Sequence, residues 1–231
     1  MRLAIMQPYF MPYIGYWQLL AAVDAFVLYD NIQYTKKGWI NRNRFLLNGQ
    51  DSLFTIPVKK DAEYLDVVQR AVGDDFNPVK LLNQFDASYR KAPFFKSVFP
   101  LVSSIVNSEH RNLFEYIHHA IQLTADFLGI RTPVIISSTI AIDHSLRGEA
   151  KVIALCKALG AGTYINAIGG QDLYSKSTFD AQRISLKFIK TRAIFYPQYA
   201  NTFVPNLSII DVMMFNSAES IRTMLGEHDL V

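Results

Sequence analysis

Residues 1–30, MRLAIMQPYFMPYIGYWQLLAAVDAFVLYD, decide the fold class. The apolar run Arg2–Met6 is short and stops at Gln7-Pro8, since proline has no N–H to offer a ladder. A turn follows, and the spacing predicts a helix from about Gly15 to Val23. Residues 25–29 (AFVLY) predict a second strand that ends at Asp30. A strand, a tight loop, a helix and a strand make a βαβ unit, whose crossover leaves the two strands parallel. The expected fold is α/β: a mostly parallel sheet flanked by helices.

Downstream the pattern changes twice. In RFLLNGQDSLFTIP, residues 44–57, two apolar runs flank Asn48-Gly49, and both of these residues tolerate the positive φ of a hairpin turn. From Asn77 to about Gly129 the pattern is helical, in three helices, the middle one interrupted or kinked near Pro100. Ser108 is the expected cap of the third helix, whose Leu113, Ile117, Ile121, Thr124 and Leu128 share one face and whose end is Gly129. Strands then return at 133–137, 163–166 and 184–189, with a helix at 147–159 closed by Gly160 and two helical pieces between Leu207 and Leu225. No repeat or linker interrupts the chain. Residues 1–231 therefore read as one α/β domain with a β-hairpin and a mostly helical insertion at about 77–129.

Composition excludes several classes. Half of the 231 residues are hydrophobic and 19% are charged, which is incompatible with a disordered chain. A net charge of +3 is too slight to imply nucleic-acid binding. One cysteine forbids an internal disulfide. The first apolar run is shorter than the ~7–15-residue core of a signal peptide. No uncharged apolar stretch approaches the ~20 residues of a membrane span. The expectation is a cytoplasmic protein without a membrane span.

Three strand-to-helix junctions hold the candidate site residues, because open parallel sheets bind ligands at their carboxyl edge. The first holds Gln7, Tyr9, Tyr13, Gly15 and Tyr16. Its Tyr13-Ile-Gly-Tyr16 stands where nucleotidyltransferases carry His-x-Gly-His, but a phenol with a pKa near 10 supplies no cationic charge at neutral pH. The second runs from Asp30 to Arg44, with Lys36, Lys37, Arg42 and Arg44 beside Trp39, Asn41 and Asn43. Guanidinium forks grip phosphate, amides read hydroxyls, and an indole packs on a ring. The third is Asn166–Tyr174, where Gly169-Gly170 exposes backbone N–H groups but lacks the Gly-Lys-Ser/Thr ending of a P-loop. Each of these also reads as an ordinary packed or solvated turn. The histidines carry less. His118 and His119 share a helix with Glu115, yet one helix supplies no complete metal site, so no metal is expected. His144 beside Asp143 is a weak general-base signal, and Cys156 in VIALCKALG reads as a buried thiol.

The motifs QPYFMPYIGYWQLL (7–20), VDAFVLYDNIQYTKKGWINRNR (23–44), LFTIPVK (53–59) and YRKAPFF (89–95) resemble the WbqC-like family, as do CKALGAGTYINAIGGQDLY (156–174) and FVPNLSIIDVMMFN (203–216). The resemblance implies a place in O-antigen, lipopolysaccharide or other surface-polysaccharide synthesis. It implies a pathway more directly than a reaction; together with the phosphate-suited basic segment it leads to the expectation of a transferase that moves an acyl or aminoacyl group to a nucleotide-linked amino sugar. In that reading Lys37 and Arg42 bind the diphosphate, Trp39 and Tyr16 flank sugar or base, and Asn41 and Asn43 orient hydroxyls. Gln7, Tyr13, Asn166, Gly169, Gly170 and Tyr174 complete the substrate site, and Asp30 or Asp211 is the general base. The alternative is a non-catalytic nucleotide-sugar binding or assembly protein of the same pathway, with a homo-oligomer compatible with either. No cofactor is assigned. The first, second and third junctions are expected to meet at one sheet edge.

Overall fold

The computed structural model describes residues 1–199 and 202–231. Strand β1 (Arg2–Met6), helix α1 (Ile14–Ala21) and strand β2 (Ala25–Leu28) form the expected parallel unit, with Leu3 opposite Ala25 and Met6 opposite Leu28. The remaining strands of this sheet are β5 (Val134–Ile136), β6 (Thr163–Ala167), β7 (Ser185–Thr191) and β8 (His228–Leu230), in the order β5-β2-β1-β6-β7-β8. All pairings are parallel except β7–β8. The chain steps from β1 outward to β2 and β5, then jumps back across β1 to β6. That reversal creates a crevice between the carboxyl ends of β1 and β6.

Both faces of the sheet are covered, which is why its central strands are apolar at successive residues. Ala4, Phe26 and Leu28 face a core shared with α1 and with α4 (Leu113–Leu128). Leu3, Ile5, Ala25 and Val27 face the other way, onto Val152, Leu155 and Cys156 of α5 (Gly148–Ala158). The strand HDL of β8 is short and polar, so periodicity gave no sign of it. It is held by backbone pairing to β7 and by Arg192, whose guanidinium reaches Asp229 at 2.5 Å. Helix α6 (Lys176–Ala181) was equally unmarked.

The hairpin forms as expected from β3 (Arg42–Leu47) and β4 (Gln50–Thr55), and Asn48 and Gly49 have φ of 52° and 77°. Its inner face brings Phe45 and Phe54 against Phe85 of α2 (Pro78–Tyr89) in edge-to-face contacts at 5.4 and 5.1 Å. Helix α3 (Phe95–Val106) runs unbroken through Pro100. Lys96 and Pro100 are both exposed, so the carbonyl that loses its N–H partner is left to water. The cap of α4 is Asn112, which accepts from Glu115 N, and not Ser108. Tertiary pairing decides this: Asn112 bridges Ala71 and donates to the Val68 carbonyl at 2.6 Å, which holds the preceding turn out of the helix. Helices α7 (Ile209–Phe215) and α8 (Ala218–Leu225) are the two pieces expected near the C-terminus.

The Phe45–Phe54–Phe85 cluster holds the hairpin against the helices. Phe85→Ala is expected to cost about 3–5 kcal/mol, the usual range for emptying a buried phenylalanine site. Urea unfolding with an unchanged slope reads this directly.

Candidate functional site

Because β1, β2 and β6 are parallel, the loops that follow them leave one edge of the sheet. At the end of β1, the Tyr9 hydroxyl donates to Gln7 Oε1 and the Tyr16 hydroxyl donates to the Gln7 carbonyl. Tyr16 is buried, and burial pushes its phenol well above 10. Tyr13 is partly exposed and its ring lies on Gly15, where a Cβ would come within 2.5 Å of it. A side chain at position 15 would displace that ring.

The Asp30–Arg44 segment is more self-contained than its charge suggests. Lys36 pairs with Glu63 at 2.7 Å and Arg44 with Asp51 at 3.3 Å. Arg42 donates from Nε to the Gly38 carbonyl and from a terminal nitrogen to the Lys37 carbonyl. Trp39 is 41% exposed, with the Arg42 and Arg44 guanidiniums 5.9 and 5.3 Å from its ring. Lys37 is exposed and has no ion pair among the described residues. Asn41 and Asn43 are buried, and their amides are used internally. Asn41 accepts from the Tyr34 hydroxyl and donates to the Ile56 carbonyl, while Asn43 donates to the Met11 carbonyl.

After β6, Asn166 turns its amide onto Gly170, where a Cβ would lie 2.6 Å from Nδ2. Gly169 faces open space, and Tyr174 approaches Tyr164, hydroxyl to hydroxyl, at 3.4 Å.

The two candidate bases stand in opposite situations. Asp211 is buried under three donors: Tyr89 hydroxyl on Oδ2 at 3.0 Å, with Tyr196 hydroxyl and Gln198 Nε2 on Oδ1 at 2.7 and 2.6 Å. Burial still holds its carboxyl above the ordinary value. Asp30 is equally buried, but only Oδ1 is engaged, by Ser137 Oγ at 3.0 Å and Ser138 N at 2.9 Å. Its Oδ2 has no partner among the described residues. The two carboxylates share no hydrogen-bond donor.

The sequence reading did not place two groups beside Asp30. Lys151 is 1% exposed, with Nζ 3.4 Å from the Asn31 carbonyl and 5.0 Å from the Tyr29 ring. Burial and then Arg147 lower its pKa, and no carboxylate pairs with it among the described residues. Helix spacing marks position 151 only as one turn into α5. The other group is histidine. A cleft of about 450 Å³ opens between α4 and the carboxyl ends of β2 and β5, with Asp30, Ser138, His110, His118 and His119 on its border. Only the crossing of α4 over those strand ends reveals the neighbourhood. Asn31 Nδ2 also lies 2.9 Å from His144 Nδ1, which ties that histidine to the same edge. Among the described residues, no group of three or more His, Cys, Asp or Glu is placed to hold a metal ion.

An open, mostly parallel sheet flanked by helices, with polar loops at its carboxyl edge, defines the class as α/β. The chain matches the WbqC-like protein family over residues 7–223 and belongs to it. Membership suggests a role in polysaccharide biosynthesis. The chain is also 26% identical, over 95% of its own length and 95% of the relative's, to "Uncharacterized protein Rv1507c" of Mycobacterium tuberculosis (strain ATCC 25618 / H37Rv). No solved structure matches. Among the described residues no helix is long and apolar enough to cross a membrane.

The contrast between the carboxylates is measurable. Asp211→Asn puts an amide donor among three donors and is expected to cost about 1–3 kcal/mol, the scale of a buried unsatisfied group. Asp30→Asn can keep Oδ1 as an acceptor and loses no bond at Oδ2, so its stability should stay within about 1 kcal/mol of the parent. Thermal melts of the two variants side by side check both.

Proposed function

We propose that the protein transfers an acyl or aminoacyl group to the amine of a nucleotide-linked amino sugar during surface-polysaccharide synthesis. The observation that supports this is the free oxygen of Asp30. An ionised carboxylate only accepts hydrogen bonds, so the group that completes Oδ2 brings an N–H or O–H of its own. An attacking amine does so. Once the bound ammonium has given one proton to solvent, the nitrogen lone pair forms the bond to the acyl carbon, the bond from that carbon to the donor's leaving atom breaks with its electron pair going to that atom, and the proton that nitrogen then sheds passes to Asp30 Oδ2. Ser137 and Ser138 hold Oδ1 and so aim the carboxylate. Burial pushes the only thiol, Cys156, up to about 12, so in this reading the acyl group passes directly from donor to amine.

The other residues divide by what their side chains still have free. Lys37, with no ion pair, and Arg42, with part of its fork uncommitted, take the diphosphate, and the exposed Trp39 ring takes the base or sugar. In this reading Gln7, Tyr13, Tyr16, Asn166, Gly169, Gly170 and Tyr174 complete the substrate site at the ends of β1 and β6. Asn41, Asn43 and Asp211 serve the site by holding its loops. Family membership supports the pathway, and the reaction rests on Asp30.

The test is incubation of the purified protein with nucleotide-linked amino sugars and activated acyl donors, read by mass spectrometry. The parent should add the acyl mass, and Asp30→Asn should slow the transfer about 10²–10⁴-fold, as expected for loss of a general base. Sugar-nucleotide binding with no mass gain across the panel would instead establish the binding or assembly role. Separately, Lys37→Ala should weaken nucleotide-sugar binding by about 1.5–3 kcal/mol. The same variant should move folding stability by less than about 0.5 kcal/mol. Calorimetric titration paired with a melt measures the two together.

A further inference from the structure

Among the described residues, four buried side-chain polar atoms lack a hydrogen-bond partner, and two of them, Asp30 Oδ2 and His118 Nε2, belong to residues bordering one cleft. Such orphans are uncommon and costly in native proteins. Both residues border one opening of about 450 Å³, so a molecule seated there lies beside the two groups that lack partners.

The border of the cleft states what kind of molecule. It carries two carboxylates, Asp30 and Glu115, the amides of Asn112 and Gln122, and the hydroxyl of Ser138, but no lysine or arginine. A phosphate would meet acidic groups and no cation there. A buried carboxylate without a cation is strongly disfavoured, and a ligand ammonium would relieve it. Lys151 feels the charge of Asp30 but makes no ion pair with it, its Nζ being directed to the Asn31 carbonyl and the Tyr29 ring. The Asn112 amide is spent on Val68 and on the cap of α4, but the Gln122 amide and the Ser138 hydroxyl match the hydroxyls of a polar ring. Burial, then the neighbouring His110 and His119, holds the His118 pKa below its ordinary value, so at neutral pH the imidazole does not repel a cation beside it.

We propose that this cleft is a subsite for a primary ammonium group carried on a hydroxyl-bearing ring, with the ammonium on Asp30 Oδ2 and a ring hydroxyl on His118 Nε2. The proposal deepens the transfer reading, on which it rests for the identity of the ring as the acyl acceptor, but binding alone tests it.

The chain has five histidines, so their ring resonances can be followed singly by NMR, with His118→Gln assigning its own signal. The probes are a panel of hexosamines that differ in the position of the amine, each with its N-acetylated counterpart. At least one free amine should shift the His118 and His119 signals and bind about tenfold more tightly than its acetylated form. Asp30→Asn should abolish that preference. His118→Gln, at a partly exposed position, should weaken both forms while keeping the preference, and it carries the test if the Asp30 variant does not fold. The proposal is overturned if no hexosamine shifts these signals, if acetylated forms bind as well, or if the preference survives in Asp30→Asn. Amine-selective binding without acyl transfer would remove the transfer reading and leave the subsite. Transfer with unmoved histidine signals would do the reverse.

Discussion

The carbonyl oxygen of Met11 is the point on which the arrangement of the loops depends. It accepts Asn43 Nδ2 from the hairpin at 3.0 Å and Ser208 Oγ from the start of α7 at 2.7 Å, using both of its lone pairs. Met11 is held at φ 47°, a left-handed conformation that costs a non-glycine residue about 1 kcal/mol or more. The surrounding bonds keep it there. Phe10 N donates to the Ile40 carbonyl, Ser208 N to the Arg44 carbonyl, and Ile209 N to the Pro12 carbonyl. One turn after β1 thereby fixes the hairpin, the basic segment and α7 relative to the sheet. Of the polar residues of the segment 203–216, Ser208 serves this task.

Buried charge is handled in two ways in this molecule. Around Asp211 every acceptor position that matters is filled, and the Tyr89 hydroxyl also accepts from Leu46 N, so α2, α7 and β3 are tied by one carboxylate. Around Asp30 the bonding stops halfway. The Asp30–Asn31 turn sits between two further unpaired features, the buried ammonium of Lys151 on one face of the sheet and His118 on the other. A protein built for stability alone would replace such groups by apolar ones of similar size at little cost. Completed bonding at Asp211 and incomplete bonding at Asp30 separate a carboxylate that ties three elements together from one whose second oxygen has no partner among the described residues.

Much of the fold was legible because its signals are local. Residues 1–30 contain a whole βαβ unit, and Asn48-Gly49 contains a whole hairpin turn. The buried face of α4 could be read from one helical period, and Gly129 with φ 74° ended it as expected. Misreadings arose where a distant strand or turn competes with the local preference. Asn112 displaced Ser108 as a cap because its amide also reaches Val68, and β8 exists because β7 offers an unpaired edge. Sequence and family resemblance named Asp30, the basic run, Asn41, Asn43 and Asp211 alike, and could not tell which of them are bonded internally. A polar side chain bonded to a remote carbonyl looks the same in sequence as one left free for a ligand.

The sequence by itself therefore determined the α/β class, the order of the elements and the strand ends where polar loops begin, since each follows from periodicity and turn chemistry over a few residues. Only the tertiary structure decided which of those polar groups are spent and which are not. It turned Asn43 to Met11 and Arg42 to its own loop, and it closed three donors over Asp211. It also left Asp30 half-bonded and brought α4 across β2 and β5, so that His118 borders the same cleft. Hydrogen-bond satisfaction is a property of atoms brought together from across the chain, and no local window of residues contains it.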